Sequence, residues 1–346
     1  MNKGKFFSIL FLAIAGTGAI FAQSRVALHS TGQVTIFSGA APFADAYNAA
    51  ASGDTIYLSG GAFVAPTEIS KGIAVFGAGH YPDSTAVTAQ TSVGGNILVS
   101  EGADNLRFEG ILFTGSITFN HSQQVDNVVI ALCRINGALT YNGAGAAETS
   151  CENHQIIQSV LVGSLTLNNL TGSTISNCII QYQISGGSNL SFLNNVFLHN
   201  PGSSNASYAT LNSVKGATVN NNVFLSRGNY SNNTQFACVG QFSNNLFTST
   251  PGNDPNVIYS KSYLNVTAND IFKDAADNVF DYTKDYQLQD PETYVGMDDT
   301  QVGIYGGALG YKQGAVPSNP HFSSATIAPT TDGDGKLKVK IKVIAQ

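Results

Sequence analysis

The sequence predicts an all-β solenoid, a fold in which short strands stack coil upon coil, and three observations support this prediction. Apolar six-residue windows recur through the middle of the chain, a short amphipathic segment precedes them, and a segment that alternates apolar residues with lysine follows them. Charged residues are 11% of the 346 residues, against about 25% in an average globular domain, while 43% are hydrophobic. With a net charge of −6, the chain lacks the basic surface of a nucleic-acid-binding protein, and it is too apolar for a disordered one.

The first 22 residues have the pattern of a secretory signal peptide. Lys3 and Lys5 precede an apolar stretch at residues 6–21, and small residues follow around Ala22. An uncleaved anchor is disfavoured because the stretch is shorter than the ~20 residues of a membrane span, and no later segment reaches ~18 apolar residues. Cleavage after Ala22 removes two lysines and changes the net charge from −6 to −8. We expect an exported protein, in the periplasm, at the cell surface or outside the cell, and not a lipoprotein, because no cysteine lies near the cleavage region.

The repeat becomes visible when windows that begin with one apolar residue and end with two more are aligned. Position six is always apolar, position five is apolar in all windows but the one with Arg134, and position three is Asn in the last four. The windows begin 17 to 27 residues apart, which is shorter than the ~33–47 residues of helical repeats. The windows are Phe108–Phe113, Ile130–Ile135, Ile157–Val162, Ile175–Ile180, Phe192–Phe197, Val219–Phe224 and Phe242–Phe247.

A second motif follows the first three windows and shows what one repeat contains. Gly115–Phe119, Gly137–Tyr141 and Gly163–Leu167 each begin with glycine and continue as a short stretch of strand-forming residues. Two such short strands joined by a tight turn predict parallel coils that stack ~4.8 Å apart. In this arrangement position six forms an inward ladder, and the asparagines at position three form a turn whose amides bond their stacked neighbours.

The register of the windows makes a prediction about the cysteines. Cys133 and Cys178 both occupy position four and are two coils apart, which corresponds to about 9.6 Å by strand spacing. A disulfide needs Cα atoms within about 7 Å, so we expect none between them and expect Val160 to fill the intervening step. No spacing among the four cysteines and six histidines suggests a zinc site.

Three further stretches, together with the repeat, resemble the right-handed parallel β-helix proteins of the pectate-lyase-like superfamily. The resemblance covers about residues 38–322 and implies a single-stranded right-handed parallel β-helix over residues 23–322. The stretches are the entry with its short capping helix at Phe43–Ala50 and Ser52–Leu58, the next turn at Ile69–Gly79, and a closing turn at Asp298–Gly307.

The two ends of the coil region have sequence signals of their own. A short N-terminal helix would cover the apolar slab that an open coil end exposes. At the other end, residues 323–346 alternate apolar residues with lysine, and Asp332–Gly335 within them predicts a hairpin turn and hence a β tail. The predicted covering face of the helix consists of Ala44, Tyr47, Ala50 and Ala51.

The resemblance also implies where chemistry would lie. Lyases of this superfamily hold calcium with carboxylates and use an Arg or Lys base on the outer face of the coil. Asp104 and Asp126 each lie four residues before a window, so they should stack on adjacent coils and could hold such a cation. Arg107, Lys215 and Arg227 are then the candidate bases. The other interpretation, which the sequence favours, is that each Asp-Asn pair is a turn and that none of these residues is catalytic.

Two functions from different classes remain open. The sequence lacks the motifs of galacturonan hydrolases and pectin methylesterases of this fold, and Lys and Arg together number 16. The favoured interpretation is an exported, non-catalytic binding module of the cell surface or envelope, with a polysaccharide partner and no cofactor. The alternative is a calcium-dependent lyase that acts on acidic polysaccharides. Tyrosines that could stack on sugar rings are Tyr141, Tyr182, Tyr208, Tyr230, Tyr259 and Tyr263.

Overall fold

Strands dominate the described chain, and most of them belong to three long sheets. The chain passes from a strand of the first sheet to the second and then to the third, and then returns to the first. Apart from an N-terminal hairpin and its antiparallel pairing with the next strand of the first sheet, neighbouring strands in these sheets are parallel, so the repeats stack as coils. This agrees with the predicted parallel strands and is compatible with a β-helix. The computed structural model describes residues 24–120, 123–142, 150–199, 209–225, 236–251, 256–275 and 277–344.

The strand bounds follow the three sheets. The first sheet contains Gln33–Phe37, Val26–Ser30, Thr55–Leu58, Ala74–Phe76, Arg107–Glu109, Val129–Ala131, Gln155–Ile157, Thr174–Ser176, Ser191–Leu193, Ala217–Asn220, Gly240–Ser243 and Val257–Ser260. The second contains Gly61–Val64, Thr91–Gly94, Leu112–Phe113, Arg134–Ile135, Val160–Leu161, Ile179–Ile180, Val196–Phe197, Val223–Phe224 and Leu246–Phe247. The third contains Glu68–Ile69, Ile97–Val99, Ile117–Phe119, Leu139–Tyr141, Leu165–Thr166, Ile184–Ser185, Leu211–Asn212 and Phe236–Ala237. Two-stranded sheets join Cys151–Glu152 to Leu170–Thr171, Phe272–Asp274 to Asp285–Leu288, and His321–Ile327 to Val339–Ile344.

The register of the first sheet confirms six of the seven windows and corrects one. Phe108 pairs with Ile130, but Ile130 then pairs with Ile156, which pairs with Ile175. The third window therefore begins at Ile156, and the predicted start at Ile157 is wrong by one residue. Because successive side chains alternate between faces, this shift places Leu161 in the inward column.

Position six forms the predicted inward ladder. All its members are at most 1% exposed. The rings of Phe197 and Phe224 stack with centroids 4.5 Å apart, and those of Phe224 and Phe247 stack at 5.0 Å. Like side chains on successive coils thus pack against one another along the core. The members are Phe113, Ile135, Leu161, Ile180, Phe197, Phe224 and Phe247.

The asparagines at position three form the predicted turn, but they do not form the predicted amide ladder. All four have left-handed backbone angles, from φ 53° to 60°, which asparagine tolerates better than most residues. Their amides reach away from the coils instead: Asn177 Nδ2 donates to the carbonyl oxygens of Ile304 (2.9 Å) and Gly306 (2.8 Å). The four residues are Asn177, Asn194, Asn221 and Asn244.

The amide ladder lies one residue later, at position four. Asn195 Nδ2 donates to Asn222 Oδ1 (3.0 Å), and Asn222 Nδ2 donates to Asn245 Oδ1 (3.0 Å). All three side chains are fully buried. The structure therefore assigns the turn and the ladder to adjacent members of each Asn-Asn pair.

The same column contains two of the four cysteines, all of which are buried and none of which is in a disulfide. Cys133 and Cys178 are two coils apart, as predicted, with one coil between them. Ser159 fills the step between them, and its Oγ accepts a hydrogen bond from the Cys133 N–H (3.1 Å). The prediction of Val160 at this step is wrong because it counted from Ile157, whereas the third window begins one residue earlier, at Ile156.

The predicted N-terminal helix is present at Pro42–Ala49 and packs against the first strands of the chain. Tyr47 and Ala50 are buried as expected, whereas Ala44 is half-buried and Ala51 is exposed. Lys71 Nζ donates to the carbonyl oxygens of Tyr47 (2.9 Å) and Ala50 (2.7 Å), where the helix ends. Within the described residues, no helix is both long and apolar enough to cross a bilayer. The other helical segments described are 3₁₀ turns at Ala268–Asp270 and Gln313–Ala315.

The outer face of the second sheet is covered by the C-terminal part of the chain. The side chains at position five point away from the position-six core. They are buried against apolar residues of the segment 271–311, with which they form a second hydrophobic cluster. This explains why position five is almost always apolar. Its buried members are Val160, Ile179, Val196, Val223 and Leu246.

Residues 294–318, here called the strap, run back along the coils toward the N-terminal end. Asn244 Nδ2 donates to Val295 O (3.2 Å), Asn194 Nδ2 to Gln301 O (3.4 Å), and Asn177 to the strap near Ile304. Gln158 and Glu109, on earlier coils, bond Gly310 and Ser318. The stretch that resembled a closing turn, Asp298–Gly307, therefore lies along the side of the coils and not across their end.

The tail forms the predicted antiparallel hairpin. His321–Ile327 pairs with Val339–Ile344, and the turn closes through the Asp332 N–H, which donates to Lys336 O (2.9 Å). The hairpin begins two residues before the predicted boundary at residue 323.

Candidate functional site

Asp104 and Asp126 stack on adjacent coils, as predicted, and both carboxylates bond the backbone of the next coil. Asp104 Oδ1 accepts from the Asp126 N–H (2.7 Å), and Asp126 Oδ1 accepts from the Glu152 N–H (2.8 Å). The residues after them, Asn105 and Asn127, have φ angles of 65° and 60°. This is the geometry of a turn ladder. No group of three or more His, Cys, Asp or Glu side chains in the described part of the chain is placed to hold a metal ion.

Arg107, which is partly exposed, bonds the buried carboxylate of Glu109, and together with Ser318 the two residues form a cluster here called the clasp. The Arg107 Nε donates to Glu109 Oε2 (3.0 Å), and Glu109 Oε1 accepts from both the N–H and the Oγ of Ser318 (2.6 Å each). Burial raises the pKa of Glu109, but the hydrogen bonds from Ser318 and the Arg107 charge outweigh it and hold the pKa below its usual value. Arg107 therefore helps to fasten the strap to the coils.

Arg107 and Lys215, the two candidate bases that the structure describes, do not come together. Lys215 is exposed and forms an isolated bridge to Ser188 just before the first-sheet strand Ala217–Asn220. That strand is five steps along the sheet from Arg107, which corresponds to about 24 Å by strand spacing. Arg227 lies outside the described residues.

A pocket of about 450 Å³ lies instead where the strap and the preceding residues meet the N-terminal coils. Tyrosines dominate its lining, together with Asp83, Lys284 and Asp285. The contributing segments are distant in sequence, at residues 81–84, 282–286 and 304–314. The five tyrosines are Tyr81, Tyr282, Tyr286, Tyr305 and Tyr311.

The pocket adjoins Arg134, the one residue at position five of the seven windows that is not apolar. The Arg134 guanidinium carbon lies 4.7 Å from the ring centroid of Tyr282 and 5.1 Å from that of Phe280. Two aromatic rings thus cover a cation where the other six windows present an aliphatic side chain. The Arg134 Nε also donates to Asn136 Oδ1 (2.8 Å), which fixes the guanidinium under the wall of the pocket.

Hydrogen bonds and ring contacts connect three of the tyrosines that line the pocket, Tyr81, Tyr305 and Tyr311. The hydroxyls of Tyr81 and Tyr311 are 3.0 Å apart, and the ring of Tyr305 meets that of Tyr311 edge-on. Burial raises the pKa of Tyr286 and of Tyr305 to about 12. It also raises the pKa of Tyr81 and Tyr311. These phenols are therefore neutral at physiological pH and can both donate and accept hydrogen bonds.

His80 contacts Tyr282, one of the tyrosines that line the pocket. Its side chain is fully buried, and its Nδ1 lies 3.2 Å from the Tyr282 hydroxyl. Burial, aided by the Arg134 charge, lowers the pKa of His80 to about 3, so the imidazole is neutral. Gln90 Nε2 donates to the carbonyl oxygen of His80 and anchors this residue in turn.

None of the tyrosines proposed from sequence that the structure describes lines the pocket. Tyr141 is buried in the core, Tyr182 is exposed, and Tyr259 and Tyr263 are partly buried elsewhere. Tyr208 and Tyr230 lie outside the described residues. One signal was available: five of the 14 tyrosines lie between residues 282 and 311.

Comparisons with protein families, with curated proteins and with solved structures find no match to this chain. The geometry of the pocket and the sequence patterns are therefore the grounds for a functional conclusion.

Proposed function

We propose that this protein is a non-catalytic binding module that recognises glycans through the tyrosine-lined pocket. The observation behind this proposal is the convergence of five tyrosines on a pocket of about 450 Å³. Aromatic rings offer flat apolar faces for the C–H surface of a sugar ring, and their hydroxyls offer hydrogen bonds for its edge. A volume of a few hundred Å³ is typical of pockets that bind small molecules.

The rigidity of the pocket supports the same proposal. Tyr282 is held between His80 and Arg134, and the hydroxyls of Tyr81 and Tyr311 bond each other. A wall that is already in place loses little conformational entropy when a ligand binds, so weak stacking contacts suffice.

We further propose that the chain is a right-handed parallel β-helix of the pectate-lyase-like kind. The three-sheet parallel topology and the resemblance in sequence support this class. The helix Pro42–Ala49 would cap the N-terminal coil end, and residues 1–22 would direct export to the envelope or the cell surface.

The alternative of a calcium-dependent lyase remains a proposal of lower rank. It would require free carboxylates and a nearby base, whereas Asp104 and Asp126 bond backbone N–H groups and Arg107 is paired with Glu109. It can be examined in the same experiment, by adding calcium and by following the absorbance of unsaturated products.

The test is isothermal titration of the mature protein with a panel of neutral and acidic oligosaccharides, with and without calcium. We expect calcium-independent binding, which Tyr305→Ala weakens about tenfold, because an aromatic contact contributes about 0.5–1.5 kcal/mol beyond area burial. The matched control is Tyr182→Ala, since Tyr182 is 52% exposed and does not line the pocket. Failure of every glycan to bind, or an equal loss in both variants, would contradict the proposal, and unsaturated products would favour the lyase.

A further inference from the structure

We infer that the tyrosine pocket selects uncharged sugar residues and rejects uronic acids. This inference rests on the proposed glycan-binding function and adds the class of sugar. It runs against the acidic substrates that the resemblance in sequence implied.

The charged groups in the lining are mainly carboxylates. Asp83 and Asp285 line the pocket, and Lys284 is the one cation among its described lining residues. The Lys284 ammonium is 3.2 Å from Asp274 Oδ1, so its charge is already offset by a carboxylate outside the lining. A uronate entering the pocket would meet two carboxylates and no free cation.

The other cations near the pocket do not offset the negative charges of Asp83 and Asp285. The Arg134 guanidinium is covered by the rings of Phe280 and Tyr282 and does not belong to the lining. Lys312 follows Tyr311 in sequence and also lies outside the lining, and the exposed Asp281 adds a further negative charge beside Tyr282. The five tyrosines contribute no charge, because burial keeps their phenols protonated.

The same groups suit a neutral sugar. A carboxylate accepts strong, charge-assisted hydrogen bonds from sugar hydroxyls, and the phenols can donate or accept as the ligand requires. Like charges in a partly enclosed site repel more strongly than they would in water. A hydroxymethyl group therefore fits where a carboxylate at the same carbon does not.

The experiment uses matched pairs of oligosaccharides that differ only at this carbon. Tetramers of galacturonate, mannuronate and glucuronate are compared with their carboxyl-reduced forms by titration of the whole protein at low salt. We expect at least one reduced form to bind at least tenfold more tightly than its uronate. In the double variant Asp83→Asn, Asp285→Asn this preference should shrink at least threefold, while Asp45→Asn, on the exposed side of the helix Pro42–Ala49, should retain it.

The outcomes separate this inference from the proposed function. Equal or tighter binding of the uronates overturns the inference and leaves glycan binding in place. A preference for reduced forms that the double variant retains also overturns it, because the carboxylates would then not be its cause. Binding of neither kind of oligosaccharide, nor of any glycan in the wider panel, overturns the proposed function itself.

Discussion

Single amide side chains at position four connect the coils of the last three windows, at Asn195, Asn222 and Asn245. Asn222 Oδ1 accepts from the Asn195 N–H (2.8 Å) as well as from its amide, and Asn222 Nδ2 also donates to Phe192 O (2.9 Å). Every polar atom of this buried side chain is used, which is the condition for burying it without loss. The sequence shows Asn-Asn pairs but not which member turns inward, because that depends on which residue takes the left-handed angle.

We expect Asn222→Ala to lower the stability of the fold by about 2–4 kcal/mol, since it leaves buried donors of Asn195 without an acceptor. The midpoint of urea unfolding, followed by circular dichroism, measures this change. The control is Asn220→Ala, two residues earlier on the outward face, which should change stability by less than about 0.5 kcal/mol. Equal effects of the two substitutions would show that the ladder contributes nothing of its own.

The strap is an element whose place was not visible in the sequence. Position five is apolar in six of the seven windows because the outer face of the second sheet is covered, and Arg134 lies where that cover differs. The rings that cover Arg134, however, belong to Phe280 and Tyr282, more than a hundred residues further along the chain. The side-chain amides that bind the strap meet backbone carbonyls, which have no sequence signal.

The clasp at Glu109 should make attachment of the strap dependent on pH. The folded-state pKa of Glu109 lies below the ordinary 4.5, so its contribution to stability is fully present above about pH 4.5 and is lost as the pH falls through the folded pKa. Glu109→Gln should lower the free energy of unfolding at pH 7 by about 1–3 kcal/mol, and the difference from wild type should shrink in acid.

Urea unfolding at pH 7 and at successively lower pH values measures this difference. Glu68→Gln, at an exposed position of the strand Glu68–Ile69, is the matched control and should show no such trend. A gap between wild type and Glu109→Gln that stays constant with pH would contradict the role assigned to the clasp.

For the whole molecule, the core is continuous from the first coils to the last, and its four cysteines remain separate within it. Burial raises the pKa of Cys133 and of Cys178 to about 12, so their thiols are poor nucleophiles in the folded protein. We expect an aromatic disulfide reagent to label none of the four in the native state and all four after denaturation. Reducing agent should leave the melting temperature unchanged, and a native Cys133–Cys178 crosslink would refute the register of the coils.

The sequence by itself determined the parallel coils, their spacing, the inward ladder at position six, the short N-terminal helix and the C-terminal hairpin. These features depend on local periodicity and turn chemistry, which repeat often enough to be recognised. Only the tertiary structure decided which asparagine faces inward, where the third window begins, and that Tyr81 meets Tyr282 and Tyr311. The physical reason is that a one-residue shift reverses every side chain of a strand, and that the tyrosine pocket forms between segments brought together by folding and not by sequence proximity.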